Sequence, residues 1–477
     1  MLARWLPSQR WFSGRGSQVS ALDIIADTTL LDGDPGLRHL IVAVANGAGA
    51  QRYQVLVGQR SAVPDTLAGA VIGPLDDRLT AYDATADAEL RSVLLGSIAE
   101  ERKAGPLRFG REPGAPVGRW QRSRVLAGEQ SNTSIVFGDA AILKVLRRLY
   151  PGANPDLEVT SALSRLGSPR VAAPYGWIET ELDGEPVLLA VLSRYLAGAQ
   201  DGWTLASHSL REGGESFAGE AYLLGRSTAA LHADLAVAFG TSEFGPGELT
   251  GLAGRMTTEL EQATAEVPRL REHAGQLRAA YAALAEIDQP VPVQRIHGDY
   301  HLGQVLRTAD GWVTLDFEGE PAVPLARRRA PAPALRDVAG MLRSFDYAAR
   351  HQLIDDPGGE RLSGLAEAPV AKAPVAEAPV AEAPVAEAPV AEAWVKRCQD
   401  RFCAGYADAA GSPARPGTPE ATLLRAMMLE KAVYEVRYEA QYRPAWLAIP
   451  LDSIAAVLAT SPAGLAKGEA PVGSDHG

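Results

Sequence analysis

Residues 296–304 read Ile296-His297-Gly298-Asp299-Tyr300-His301-Leu302-Gly303-Gln304, and residues 312–319 read Trp312-Val313-Thr314-Leu315-Asp316-Phe317-Glu318-Gly319. These two stretches decide the fold. Between them Asp310-Gly311 suits a tight turn, with strands expected at 304–307 and 313–315. Gln304 follows Asp299 by five positions, and Asp316 comes one hairpin later. Phosphoryl transfer asks for groups of this kind in this order: a carboxylate to receive the acceptor's proton, then an amide oxygen and a second carboxylate to hold metal at the phosphates. Taken singly, His-Gly-Asp reads as a turn and Asp-Phe-Glu as a strand end. The order and spacing carry the reading. Gln304 stands where the general pattern has Asn; its amide oxygen still ligates magnesium, but the extra methylene shifts the metal or the backbone.

Working upstream, a lysine for the nucleotide phosphates is expected, oriented by a helix carboxylate. Lys144 closes the apolar run Ile142-Leu143-Lys144-Val145, and Glu158 lies on the helix that follows. Asn154 is placed to cap that helix, Pro155 fits its first position, Asp156 and Glu158 suit its positive end, and Gly167 closes it. The turn Gly128-Glu129-Gln130-Ser131-Asn132-Thr133-Ser134 would cover phosphates with backbone amides and the hydroxyls of Ser131 and Ser134. No Gly-x-x-x-x-Gly-Lys-Ser/Thr motif occurs, which argues against a P-loop enzyme.

A chain of 477 residues exceeds what one hydrophobic core organises, so two or three lobes are expected. The net charge of -12 supplies no general excess of cations for DNA or RNA. Cys398 and Cys403 lack zinc-site spacing and read as free thiols. With no apolar leader and no run of about 20 apolar residues, the expectation is a cytoplasmic protein without membrane contact. Strands are expected at 39–45 and 51–57 around the 46–49 turn, and a helix near 86–101 leads into a Gly/Pro-rich connector. More strand is expected at 187–192. From residue 201 the pattern turns helical, with Leu223, Leu224, Ser227 and Leu231 on one face ending near His232. A further helix should run from Pro419, capped by Thr418, to about Gln441.

Residues 368–393 repeat Pro-Val-Ala-Glu-Ala with one Lys372 in place of Glu. A proline every five residues opposes a regular helix and no large side chain is present, so the segment reads as a semi-extended low-complexity insertion spanning 366–393.

The loop at 297–304 with the Asp316-Phe317-Glu318 hairpin resembles the aminoglycoside-phosphotransferase branch of the eukaryotic-like kinases. Trp5-Leu6-Pro7-Ser8-Gln9-Arg10-Trp11-Phe12, the run from Arg336 to Ser344, and Lys431-Ala432-Val433-Tyr434-Glu435 through to Trp446 are similar to actinobacterial maltokinases. This resemblance implies an α+β, bilobal protein-kinase-like fold. Its parts would be an N-terminal cap over 1–88, an intermediate β-rich nucleotide-binding subdomain over 89–200 and a mainly helical C-terminal lobe over 201–477. It implies ATP- and Mg2+-dependent phosphorylation of maltose to maltose 1-phosphate for α-glucan synthesis, with a trehalose synthase as functional partner. The roles it carries over are Asp299 as base, Gln304, Asp316 and Glu318 as metal ligands, and Lys144 with Glu158 at the ATP phosphates. Adenine would be gripped by backbone groups near Ser193-Arg194-Tyr195-Leu196.

For the acceptor, sugar rings want aromatic faces and charged groups that bind hydroxyl pairs. Tyr434, Tyr438 and Tyr442 recur every four residues beside Glu435 and Glu439. Such a stripe is more often core, and Lys431 with Glu435 is open to reading as a simple i,i+4 pair. With the resemblance, Glu435, Tyr438, Arg443 and Trp446 become acceptor candidates. A glucosamine kinase, an aminoglycoside-modifying enzyme and a catalytically silent binding module are the competing readings. Residues 325–329, Leu-Ala-Arg-Arg-Arg, read as a solvated basic loop.

Overall fold

The computed structural model describes residues 1–12, 19–46, 49–118, 120, 122–126, 131–211, 217–320, 323–353, 388–410 and 417–459. The described residues divide into two compact units: those of 1–199 with Leu315–Phe317, and those of 200–314 with those from 318 on.

The first unit opens with the short helix α1 (Leu2–Trp5) and an antiparallel sheet of β1 (Ala21–Leu31), β2 (Gly36–Asn46), β3 (Gly49–Arg60), β4 (Val71–Pro74) and β5 (Thr80–Asp83), in the order β1-β2-β3-β5-β4. Alternation builds it. Leu40, Val42 and Val44 of β2 and Tyr53, Val55 and Val57 of β3 pack on Trp5, Leu6, Trp11 and Phe12, while Leu37 and Ile41 face a second core. The β2–β3 hairpin pairs Asn46 with Gly49, as its turn residues predict; residues 47–48 lie outside the described set.

Helix α2 (Ala88–Ala99), capped by the Asp87 carboxylate on the Glu89 N–H, leads into a seven-stranded antiparallel sheet. Its strands are β6 (Lys103–Ala104), β7 (Leu107–Arg111), β8 (Ser123–Val125), β9 (Asn132–Phe137), β10 (Ala141–Leu146), β11 (Pro174–Leu182) and β12 (Glu185–Arg194), in the order β6-β7-β11-β12-β10-β9-β8. Helix α3 (Pro155–Arg165) starts where expected, with the Asn154 side chain accepting from the Leu157 N–H at 3.1 Å and Gly167 in a left-handed turn after it. Two buried polar side chains join the sheets. The Gln54 amide donates to the carbonyls of Leu146 and Leu189. Arg147 bonds Asp83 at 2.8 Å and Thr133 at 2.8 Å and lies over the Trp11 ring.

The second unit contains α4 (Gly202–Arg211), α5 (Phe217–Phe239), α6 (Pro246–Glu266) and α7 (Ala274–Ala282). Its short strands are β13 (Gln200–Asp201), β14 (Thr241–Phe244), β15 (Val291–Gln294), β16 (Val305–Thr308) and β17 (Gly311–Thr314). Helices α8 (Leu325–Arg328), α9 (Leu335–Leu353), α10 (Ala388–Ala410), α11 (Pro419–Tyr442) and α12 (Ala448–Ala459) complete it around one core. The Thr418 hydroxyl accepts from the Ala421 N–H and starts α11 where expected. The β16–β17 hairpin turns at Ala309-Asp310, one residue before the expected Asp310-Gly311, and Gly311 opens β17 at φ +141.

Four further local expectations are corrected. Helix α5 runs past His232 to Phe239, and its buried face is Ala221, Leu224, Thr228, Leu231 and Leu235; Leu223 is 43% exposed. Helix α10 begins at Ala388, inside the last copy of the proline repeat, because Pro389 stands in the first turn where its missing N–H costs no helical hydrogen bond; residues 354–387 lie outside the described set. The basic stretch expected as a loop contains α8. Lys431 and Glu435 turn to other partners in place of a simple i,i+4 pair: Lys431 meets Asp299 and Glu320, and Glu435 meets Arg343. A glycine contact invisible to periodicity joins α5 to α10: a Cβ on Gly225 would lie 2.0 Å from the Phe402 carbonyl oxygen, and one on Gly405 would lie 2.0 Å from that of Tyr222.

Candidate active site

Within the second unit, residues 295–304 form the loop between β15 and β16, and helix α9 holds it from behind. The Asp337 carboxylate accepts the N–H groups of His297 (2.8 Å) and Gly298 (2.9 Å) and a hydrogen bond with His232 Nε2 (3.1 Å). Although burial pushes the Asp337 carboxyl up, His232 and the Gly298 amide bring it below the usual carboxylate range. Ser344 Oγ accepts the Leu302 N–H at 3.0 Å. Gly340 lets the helix backbone meet the loop, since a Cβ there would sit 2.5 Å from the Tyr300 carbonyl oxygen. Asp337, Gly340 and Ser344 fall at i, i+3 and i+7 on one face, a spacing that sequence reading passed over as catalytic support. Gly298 takes φ +85, which turns the chain into Asp299.

Asp299 Oδ1 accepts from Lys431 Nζ at 3.0 Å, and His301 Nε2 lies 4.0 Å from Oδ2. Burial alone would raise the Asp299 carboxyl, but the Lys431 ammonium beside it, with His301 and His297, holds it down at about 2. Burial lowers His301 to about 4 despite Asp299, so its ring is neutral near pH 7. Lys431 Nζ also donates to Glu320 Oε1 at 2.7 Å and lies 5.0 Å from the Tyr434 ring centre. Arg336 pairs with Glu430 at 3.0 Å and reaches Glu320 at 3.9 Å. Asp299, Glu320, Arg336, Glu430 and Lys431 line a shallow cleft together with Gly298 and others. Glu320, Arg336 and Lys431 were missed as site residues; only the pairing of α11 with the catalytic loop reveals them. Gln304 is 1% exposed, and its Oε1 has no hydrogen-bond partner among the described residues.

Within the first unit, Lys144 Nζ meets Asp316 Oδ1 at 3.3 Å. Ser134 sits directly across from Lys144 in the β9–β10 pair and is buried. Asp316 adopts φ +62, a left-handed conformation uncommon for a residue with a Cβ. The following Phe317 is buried and donates its N–H to Asp156 Oδ1 at 2.9 Å, so the first turn of α3 anchors the Asp316-Phe317 segment. Glu158 is half-buried in that same turn. Ser131 lies just before β9, its Oγ accepting from Asn132 at 3.3 Å, and residues 127–130 of its turn lie outside the described set. At the end of β12 the N–H groups of Arg194 and Tyr195 are donated to the carbonyls of Ala173 and Ala140. These two amides are thus taken up within the fold.

On the acceptor side, α11 buries Ala432, Val433 and Val436, not the tyrosine stripe. Tyr434 and Tyr438 are half-buried and Tyr442 is 61% exposed. Tyr438 stacks on Tyr434 with ring centres 6.4 Å apart. Arg443 lies 5.0 Å from the Tyr438 ring and 4.6 Å from the Trp446 ring, and its Nη1 and Nη2 are buried without a hydrogen-bond partner among the described residues. Glu435 is drawn into a buried pair with Arg343 at 2.5 Å, which in turn bonds Asp346 at 2.6 Å. Glu318 presents its backbone carbonyl to Arg328 Nη1 at 3.4 Å.

Among the described residues no three His, Cys, Asp or Glu side chains gather into a metal cage. A metal served by this chain would thus take an amide oxygen and phosphate oxygens alongside a carboxylate, a donor set that suits magnesium and that the partnerless Gln304 oxygen fits. No helix among the described residues is long and apolar enough to cross a membrane.

The model of the maltokinase N-terminal cap domain matches residues 5–87, and that of the phosphotransferase enzyme family matches residues 123–320. A glucosamine kinase of Streptacidiphilus jiangxiensis is 30% identical over 337 residues, 68% of this chain and 70% of that one. A glucosamine kinase of Mycolicibacterium smegmatis is 27% identical over 345 residues, 70% of this chain and 79% of that one. Among solved structures, a glucosamine kinase in complex with glucosamine, ADP and inorganic phosphate superposes with a TM-score of 0.65 at 24% identity, covering 95% of this chain and 97% of that one. That likeness concerns the fold: sheet-rich in the N-terminal part, helical in the C-terminal part.

Proposed function

Since the chain belongs to the phosphotransferase enzyme family, in the branch that carries a maltokinase-type N-terminal cap, we propose that it is an ATP-dependent sugar kinase with Asp299 as its base. The single observation that carries the reading is the ionised Asp299 carboxylate, held by Lys431 at 3.0 Å on the wall of a charged cleft. A sugar hydroxyl donates to Asp299 and attacks the γ-phosphorus; its proton passes to the carboxylate as the P–O bond to ADP breaks. Lys144, oriented with Glu158 and backed by Ser131 and Ser134, binds the nucleotide phosphates, and groups near Arg194 and Tyr195 receive the base. Gln304 and Asp316, with Glu318 as a further carboxylate, would hold Mg2+. When bound, it neutralises charge building on the phosphate oxygens.

The acceptor reading places Tyr438, Arg443 and Trp446 against the sugar rings, with Glu435 as a positioning group through Arg343. Half-exposed aromatic faces beside a guanidinium with uncommitted N–H groups support it. Maltose is the acceptor that the cap favours, with a trehalose synthase as the class of enzyme supplying it. Glucosamine is the second reading, favoured by the two relatives that bear that name. A coupled ADP-release assay with maltose, glucose, glucosamine and an aminoglycoside decides among these. Turnover with maltose and dependence on added magnesium are expected. Turnover with glucosamine alone would sink the maltose reading, and turnover with no acceptor would sink the kinase reading.

A further inference from the structure

The cleft beside Asp299 carries an unusual charge arrangement. Three carboxylates, Asp299, Glu320 and Glu430, face two cations, Arg336 and Lys431. Arg336 is turned mainly to Glu430 at 3.0 Å, with Glu320 farther off at 3.9 Å. Lys431 alone bridges the proton-accepting carboxylate and its neighbour, at 3.0 Å from Asp299 and 2.7 Å from Glu320. Its side chain is 21% exposed, so its ammonium has given up much of its water and depends on those two oxygens. The Tyr434 ring lies beside it and limits where it can go.

We propose that Lys431 sets the charge of the acceptor: its ammonium, lodged between Asp299 and Glu320, is the cation these carboxylates require, and it selects a neutral sugar over one bearing an ammonium group. The proposal deepens the sugar-kinase reading above and rests on it. A neutral sugar hydroxyl can hydrogen-bond to Asp299 while Lys431 stays in place. An amino sugar must either bring a second cation close to Nζ or displace it, leaving a half-buried lysine without its partners; both penalties act against the charged acceptor alone.

The test compares glucose and maltose with glucosamine, and uses N-acetylglucosamine as the neutral form of the same amine. The full chain is assayed as wild type, Lys431→Met and Lys431→Arg. Two readouts run in parallel: the kcat/KM ratio between glucosamine and the neutral sugars, and the rise in melting temperature that each saturating sugar produces. We expect the wild type to favour neutral sugars, Lys431→Met to move the ratio toward glucosamine by about tenfold or more, and Lys431→Arg to retain the wild-type ratio. Glu320→Gln, which leaves the lysine in excess, should push the ratio the other way and serves if Lys431→Met fails to fold. An unchanged ratio in both variants overturns the proposal while leaving the kinase reading standing. Absence of turnover with a glucosamine-specific gain in melting temperature for Lys431→Met sinks the kinase reading and keeps the charge assignment. No response to any sugar in either readout overturns both.

Discussion

Asp316 meets Lys144 across 3.3 Å inside the N-terminal unit, whereas Asp299 meets Lys431 across 3.0 Å inside the helical unit, with Glu320 on the other side of the same ammonium. The first joins a strand lysine to a carboxylate on a backbone held left-handed. The second is two carboxylates sharing one lysine in a braced network. A shared lysine is harder to dislodge, because two buried carboxylates lose their partner at once. The shared lysine thus keeps the Asp299 carboxylate ionised.

Several substitutions would break or sharpen that contrast. The largest effect is expected from Asp299→Asn: turnover falls by about 10²–10⁴-fold while nucleotide affinity stays within a few-fold, measured by ADP release and by nucleotide titration. Retained turnover would remove Asp299 from the reaction. Next comes Arg343→Met, at a side chain 2% exposed, which strands the Glu435 carboxylate and leaves Asp346 to Arg350 at 2.8 Å. It should cost about 3–5 kcal/mol in chemical denaturation, whereas the double variant with Glu435→Gln should recover part of the loss. Lys144→Met should raise the nucleotide KM by about 10–100-fold and leave the acceptor KM nearly unchanged. An equal rise in both would show that the two pairs are not functionally separate.

The smallest effect concerns pH and has one histidine in each unit. Burial lowers His39 to about 4, opposed by its hydrogen bond with Gln54, and lowers His301 to about 4. Both folded-state values lie below the ordinary histidine value of 6.5. The unfolded chain therefore binds protons that the folded one refuses, and stability falls as pH drops from about 6.5 toward 4. Unfolding free energies at pH 7 and pH 5 should differ by about 2 kcal/mol per histidine in this direction. A midpoint independent of pH over that interval would mean that neither histidine is held neutral.

Much of the site was legible because its parts are local. Asp299, Gln304 and Asp316 lie on one loop and hairpin, so spacing alone groups them; Asn154 and Thr418 announced α3 and α11 through side chains that serve their own helix ends. Lys431 was not legible as a site residue, because it lies 132 positions from Asp299 and its nearest sequence partner, Glu435, offered a simpler pairing. Spacing alone does not decide between core and acceptor contact for the tyrosine stripe, for a related reason. Period-four aromatics mark one face of a helix, but which face is buried depends on what packs there, and in α11 it is the Ala432–Val433–Val436 side.

By itself the sequence determined the elements, the catalytic motifs and their order, since caps, turns, alternation and short-range spacing act within a few residues. Tertiary structure alone decided which charges share a site. Helix α9 had to lie behind the loop for Asp337 and Gly340 to hold it, and α11 had to pass beside it for Lys431 to reach Asp299. The close approach of α5 and α10 at Gly225 and Gly405 belongs to the same class. Contacts between residues far apart in the chain are selected by the packing of whole helices, and no local spacing encodes which lysine a buried carboxylate will meet.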